Sequence, residues 1–238
     1  MKLKLYLFPI ILLYTPLLIA QKVSSFSSST LMGKTHLEFY SEEIPLLKEA
    51  GEAFQKMQIA ARKDGIEIEI VSAYRSYERQ KGIWNRKYSS NAKKGLNPQQ
   101  NIKKIIEYST LPGTSRHHWG TDVDIIDANQ PSSGDVLLTE KFHRKGPYAP
   151  LRKWMDKHAT TYGFIRPYTQ DPKRKGFYYE PWHYSYAPLS VPMLKAYLKL
   201  NINSLLDSKS LEGNDYVTPE FLSLYIDENI LGIDPRLK

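Results

Sequence analysis

The stretch Ser115–Asp124 reads SRHHWGTDVD, and the rest of the chain must be built around it. It offers adjacent histidines, His117 and His118, followed by two carboxylates, Asp122 and Asp124, on alternate positions of a partly β-branched run. Alternation with a period of two predicts a strand through this run, with both carboxylates on one face. Imidazole and carboxylate groups offered by one short segment are typical of part of a metal site.

A second segment, EPWH, carries Glu180 and His183 and supplies the remaining groups. A catalytic zinc ion keeps three protein ligands and an open position for water, and a general base lies beside it. One histidine–aspartate pair from the first segment would complete such a set with His183, which leaves Glu180 free as the base. The residues alone do not choose between two such pairs, His117 with Asp124 and His118 with Asp122.

Upstream of both segments, IEIEIVS at residues 66–72 alternates and predicts a strand with one buried face. This strand leads to Arg75, and a helix is predicted to begin near Ser76. Polar groups at the end of a strand commonly face a cleft, so Arg75 is predicted to contact an oxyanion or a substrate carboxylate. The chain has no cysteine, and no serine lies in a nucleophile-elbow context, which disfavours a covalent mechanism.

Three motifs in this order resemble the VanY-type D-alanyl-D-alanine carboxypeptidases, which share a fold with the zinc domain of hedgehog proteins. The pattern S-x-H-x-x-G-x-A-x-D matches Ser115, His117, Gly120 and Asp124, with Asp122 at the place of the alanine. The pattern E-x-W-H matches Glu180, Trp182 and His183. The pattern S-x-Y-R-S-x-x-x-Q matches Ser72, Tyr74, Arg75, Ser76 and Gln80. The resemblance covers residues 31–188.

The resemblance implies a zinc carboxypeptidase that removes the C-terminal D-alanine from peptidoglycan stem peptides. It implies one Zn²⁺ held by His117, Asp124 and His183, with Glu180 as catalytic base and Arg75 as a contact to the transition state or the substrate carboxylate. The substrate contacts that it implies are Ser115, Gln80, Tyr74 and Trp182. His118 and Asp122 then become neighbours of the metal site rather than ligands.

Several functions stay open at this point. The sequence does not distinguish cleavage of D-alanyl-D-alanine from cleavage of L,D bonds. A peptidoglycan endopeptidase is the nearest alternative. A cell-wall-binding module with the same fold and no activity is a further alternative. Glu180 and Arg75 argue against that module, because binding alone does not require a base.

Helical periodicity is predicted over residues 45–62, 76–88, 101–109, 151–163, 191–206 and 218–231. Strands are predicted over residues 66–72 and 121–126, and the aromatic stretch 177–186 is strand-like. Together they predict an α+β fold, with a small antiparallel sheet flanked by helices.

Composition and patterning divide the chain into four parts. Residues 1–20 combine Lys2 and Lys4 with an uncharged apolar run and read as a signal peptide, cleaved or retained as an anchor. Residues 21–30 are a Ser-rich linker, residues 31–200 the carboxypeptidase-like domain, and residues 201–238 a C-terminal helical extension. We expect an exported protein of the periplasm or cell envelope, without membrane insertion beyond the signal segment. The basic residues behind the net charge of +8 are scattered, which disfavours nucleic acid as a partner.

Overall fold

A computed structural model of the chain describes residues 26–131, 133–206 and 208–238. The predicted signal peptide and residues 21–25 of the predicted linker lie outside the described residues. Within the described part, no helix has the length and apolar character needed to span a membrane. The α-helices of this part are α1 (Ser28–Leu31), α2 (Lys48–Lys63), α3 (Tyr77–Lys93), α4 (Pro98–Ile105), α5 (Ala149–His158), α6 (Ala187–Tyr197), α7 (Ile202–Leu205) and α8 (Pro219–Tyr225).

Four strands form one antiparallel sheet in the order β1-β2-β4-β3. They are β1 (Ile68–Ser72), β2 (Asp122–Asp127), β3 (Phe164–Ile165) and β4 (His183–Tyr186). The predicted α+β fold with a small antiparallel sheet is therefore confirmed. The two motif segments lead into the adjacent central strands β2 and β4, so the pairing of these strands brings them together.

Two apolar cores lie on either side of the motif segments. In the first core, the apolar stripe of α2, including Phe54 and Met57, belongs to the same cluster of buried side chains as Val123 and Ile125 of β2. This stripe is the one that the three- and four-residue spacing predicts. The second core contains Trp84 of α3 together with apolar residues of α4, α6, α7 and α8.

The aromatic stretch 177–186 is a strand only over its last four residues, so the longer strand is wrong. The Tyr178 N–H donates to the Glu107 carbonyl, and the Glu180 N–H donates to the Tyr168 carbonyl. Both backbone bonds go to loops outside the sheet. Glu180 is therefore held on an irregular segment just before β4 instead of on a strand.

The helix predicted over residues 191–206 is also wrong in its length. The helix α6 ends at Tyr197, and Asn201 then caps the separate short helix α7 by accepting a hydrogen bond from the Ser204 N–H. A side-chain cap of this kind starts a new helix, so the chain forms two helices where the periodicity predicts one.

The segment 201–238, predicted as a helical extension, packs into the second core. Leu222, Tyr225 and Ile230 are buried there. The Trp84 indole N–H donates to the Glu212 carbonyl at 3.0 Å, which joins the segment to α3. The segment therefore adds to the core around α3 instead of standing apart from it.

Candidate metal centre and active-site cleft

A short 3-10 helix, Arg116–Trp119, presents the first candidate ligand beside the sheet. The Ser115 hydroxyl caps this helix by accepting a hydrogen bond from the His117 N–H at 3.3 Å. Gly120 ends the helix with a φ of 65°, in the left-handed region that glycine adopts without steric strain. The chain then enters β2 at once, which places the His117 ring over the strand that carries Asp124.

His117, Asp124 and His183 converge on one buried point. Each offers a ligand atom, and these atoms all lie within 4.8 Å of one another. The His117 Nε2 lies 3.2 Å from the Asp124 Oδ2, and the His183 Nδ1 lies 3.3 Å from the Asp124 Oδ1. Register explains the second distance, because Asp124 of β2 pairs directly with His183 of β4.

The donor set at this point suits a zinc ion. The His117 Nδ1 lies 2.7 Å from the Ala73 carbonyl, which fixes Nδ1 as the protonated nitrogen and leaves Nε2 with its lone pair towards Asp124. The Asp124 Oδ1 is buried and has no hydrogen-bond partner. Two imidazole nitrogens and one carboxylate oxygen are a ligand set that catalytic zinc accepts.

The competing pair, His118 with Asp122, is not placed to bind the same ion. His118 is fully buried, and its two ring nitrogens both have backbone partners. Its Nδ1 lies 2.5 Å from the Arg75 carbonyl, and its Nε2 accepts the Gly113 N–H at 3.0 Å. Burial lowers the pKa of His118 to about 3, so the ring stays neutral and serves to tie two loops together.

Glu180 lies beside the third candidate ligand. Its Oε2 is 3.0 Å from the His183 Nδ1, and the residue is only 6% exposed. Burial raises the pKa of the Glu180 carboxyl above its ordinary value, although the hydrogen bond to His183 opposes this shift. A carboxylate with a raised pKa at a metal site is a suitable general base and general acid.

Arg75 enters the cleft from the loop after β1. Its Nη1 donates to the Gln80 Oε1 at 2.8 Å, its Nη2 donates to the Ser72 Oγ at 3.0 Å, and Nη2 lies 3.7 Å from the Asp124 Oδ2. The Arg75 Nε is buried and has no hydrogen-bond partner. Two hydrogen bonds thus hold the guanidinium in place, and its remaining N–H groups, including the one on Nε, are left for a further partner.

Two predicted substrate contacts do not lie in the cleft. Gln80 is fully buried and is not among the lining residues; its amide donates to the Thr110 carbonyl at 2.8 Å and its Oε1 accepts from Arg75, so it holds Arg75 in position. Tyr74 points to the opposite side of the loop, where its hydroxyl donates to the Thr35 carbonyl and its ring packs on Phe39. Ser115 and Trp182, in contrast, line the cleft.

The cleft has a volume of about 460 Å³ and opens over the candidate metal centre. The lining residues that the sequence did not indicate include Lys87 and Tyr168. Lys87 lies on α3, about two turns beyond Gln80, and its Nζ donates to the Ser109 Oγ at 2.8 Å. Tyr168 packs its ring against His183 with 5.0 Å between centroids. Helical spacing from Gln80 on the same helix could have indicated Lys87, but Tyr168 lies on an irregular loop with no pattern.

Comparison with known proteins agrees with this geometry. Residues 43–189 match the profile of the family described as "VanY: D-alanyl-D-alanine carboxypeptidase". A D-alanyl-D-alanine carboxypeptidase of Enterococcus faecalis is 32% identical over 128 residues, which cover 53% of this chain and 42% of that protein. The chain spans less than half of the length of the curated relatives from Bacillus subtilis and Enterococcus faecalis that it matches.

Two solved structures share the fold. One is VanYB in complex with D-alanine-D-alanine, with 27% identity and a TM-score of 0.53, covering 73% of this chain and 88% of that one. The other is a mutant of the vancomycin-resistance D,D-pentapeptidase VanY in complex with Zn(II). It has 26% identity and a TM-score of 0.52, and the match covers 78% of this chain and 91% of that one.

Proposed function

Because the chain belongs to the VanY family of D-alanyl-D-alanine carboxypeptidases, we propose that it is a zinc-dependent enzyme that removes the C-terminal D-alanine from peptidoglycan stem peptides. One observation carries this proposal. His117, Asp124 and His183 converge at the base of a cleft, and a buried carboxylate, Glu180, lies 3.0 Å from the third of them. A site for binding alone would not need that base.

The residues divide the work of peptide hydrolysis. His117 Nε2, Asp124 and His183 Nδ1 would hold the ion, and bound Zn²⁺ supplies Lewis acidity and lowers the pKa of a water molecule towards neutrality. Glu180 takes the proton from the attacking water and passes it to the leaving amine, as general base and then general acid. Arg75 lies on the same side and stabilises negative charge that develops on the substrate oxygen.

Lys87 favours a carboxypeptidase over an endopeptidase. Substrates of a carboxypeptidase end in a free carboxylate, which an endopeptidase substrate lacks at the cleaved residue. The ammonium of Lys87 donates to Ser109 alone among the bonds described, so two of its three N–H donors remain for a substrate group. Lys87 therefore supplies a cation in the same cleft that can bind the terminal carboxylate.

The first experiment measures D-alanine release by the purified protein, loaded with zinc, from a stem pentapeptide and a stem tetrapeptide. We expect release from at least one of them, and the preferred substrate distinguishes D,D- from L,D-cleavage. Glu180→Gln keeps the size of the side chain but removes the base, so it should lower kcat by at least about 100-fold. Zinc binding by the wild type without release from either peptide would contradict the proposed activity.

The second experiment compares the better peptide with its C-terminal amide. Lys87→Gln should raise KM for the free-acid peptide and leave the turnover of the amide unchanged, because only the free acid offers a carboxylate. Lys81→Gln, on the same helix but outside the lining residues, is the matched control. Equal turnover of acid and amide by the wild type would favour the endopeptidase instead.

We also propose that the protein is exported to the periplasm or cell envelope, where its substrate lies. The support is the pattern of residues 1–20, in which Lys2 and Lys4 precede an uncharged apolar run. N-terminal sequencing of the protein recovered from an expressing bacterium tests this proposal. A chain that begins after residue 20 is expected, and an intact N-terminus in the cytosolic fraction would contradict export.

A further inference from the structure

Asp122 is a fully buried carboxylate with four hydrogen-bond partners. Its Oδ1 accepts hydrogen bonds from the Arg116 Nε and the His183 Nε2, each at 3.0 Å. Its Oδ2 accepts from the Thr121 hydroxyl at 2.6 Å and from the Ser185 hydroxyl at 3.0 Å. A buried carboxylate with every oxygen satisfied and an arginine partner is a rigid anion.

The sheet places this anion against the third candidate ligand. Asp122 of β2 pairs with Ser185 of β4. Two residues away on each strand, Asp124 pairs with His183. Alternate residues share a face, so these four side chains form one patch on two adjacent strands. The His183 ring lies between the two carboxylates, with Nε2 towards Asp122 and Nδ1 towards Asp124.

We propose that Asp122 is a positioning residue that fixes the tautomer and orientation of His183 for metal binding, an inference that rests on the zinc site of the proposed function. A carboxylate paired with arginine only accepts hydrogen bonds, so the His183 nitrogen that faces it carries the proton. The candidate metal point lies on the Nδ1 side of the ring, beside Asp124 and Glu180, so the proton that the ring gives up on metal binding is the one on Nδ1. Carboxylate–histidine–metal arrangements of this kind raise metal affinity by holding the ligand in place.

Arg116 connects Asp122 to the first candidate ligand, His117. Its Nη2 donates to the Ser185 Oγ at 2.6 Å, and its guanidinium lies 4.8 Å from the centroid of the Trp119 ring. Arg116 immediately precedes His117, so the short helix that presents one ligand also carries the cation that neutralises Asp122. The positions of the ligands on two separate segments are thereby coupled through one buried ion pair.

The test replaces Asp122 by asparagine, which keeps the size of the side chain and removes its charge. Zinc affinity, measured on the full chain by competition with a chelator, should fall about 10- to 100-fold. Asp127→Asn is the matched control, because Asp127 is a buried carboxylate of the same strand that accepts hydrogen bonds from the Glu67 and Asn129 N–H groups. This control should leave zinc affinity within about twofold of the wild type, since no ligand touches Asp127.

A second measurement uses the wild type alone and stays decisive if Asp122→Asn does not fold. Nitrogen-15 NMR of the zinc-loaded wild type should show His183 protonated at Nε2, with that proton slow to exchange and shifted downfield by its bond to a carboxylate. Protonation of His183 at Nδ1 in the wild type would overturn the proposal.

The outcomes also separate this inference from the proposed function. Unchanged zinc affinity in folded Asp122→Asn, or an equal loss in Asp127→Asn, would overturn the role of Asp122 while the zinc enzyme stands. A wild type that binds no zinc at all would remove the proposed function and, with it, the inference.

Discussion

The C-terminal segment is predicted to stabilise the loop before the metal site through one hydroxyl group. The Tyr225 hydroxyl accepts a hydrogen bond from the Leu111 N–H at 3.1 Å and lies 3.0 Å from the Thr114 Oγ1. Leu111 is fully buried, and this loop leads directly to Ser115. Tyr225→Phe would remove both bonds while leaving the ring in place.

The magnitude follows from what the substitution leaves behind. The Thr114 hydroxyl loses its partner on Tyr225 but keeps its bond to the Leu111 carbonyl at 2.8 Å, so it contributes the smaller part of the free-energy cost. The Leu111 N–H becomes a buried donor without an acceptor, which costs about 1–3 kcal/mol. We expect Tyr225→Phe to lower the free energy of unfolding by about 2 kcal/mol.

The assay is urea unfolding followed by far-ultraviolet circular dichroism, with the midpoint shift read at an unchanged slope. Tyr216→Phe is the matched control, because Tyr216 belongs to the same segment and is 39% exposed. This control should change stability by less than about 0.5 kcal/mol. Equal effects of the two variants would refute the reasoning that the segment supports the loop.

Three further predictions concern the core, a close backbone contact and the metal. Phe54→Ala should lower the free energy of unfolding by about 3–5 kcal/mol, because Phe54 is fully buried against Phe164. Ile59→Ala, 47% exposed on the same helix, should change it by less than about 1 kcal/mol in thermal or urea unfolding. Gly176→Ala should be more destabilising than Gly95→Ala in the same assay. Both have a positive φ, but only the former would place a Cβ 2.0 Å from a backbone oxygen, that of Glu228. An equal loss in both would contradict the close contact. Removing zinc with a chelator should lower the melting temperature, since free zinc at 1,000 times Kd adds about 4 kcal/mol, and adding zinc should restore it. An unchanged melting temperature would contradict a tightly bound ion.

The sequence predicted the elements whose patterns are strong and local. The apolar stripe containing Phe54 and Met57 predicted α2, because burial against one neighbour imposes the helical period. The alternation at residues 66–72 and 121–126 likewise predicted β1 and β2 to within two residues at each end. Patterns failed where backbone groups bond to distant loops, as in the stretch before His183, since no local periodicity records such partners.

For the candidate metal ligands too, the sequence predicted one part and only the tertiary structure decided the other. Residue types alone determined that two segments carry imidazoles and carboxylates suited to zinc, but they left His117 and His118 as equal choices. Tertiary structure separates these two histidines, because backbone groups from other loops occupy both nitrogens of His118 and leave His117 Nε2 facing Asp124. Tertiary structure alone also shows that Tyr74 lies outside the cleft and that Lys87 lines the cleft.

What the sequence by itself determined is therefore the set of reactive groups and the class of fold. What only the tertiary structure decided is which groups meet. Strand register sets Asp124 opposite His183. Asp122, two residues earlier on the same strand, lies at the other nitrogen of the His183 ring. The physical reason is that metal binding depends on the direction of single lone pairs, and these directions are fixed by hydrogen bonds between residues far apart in the chain.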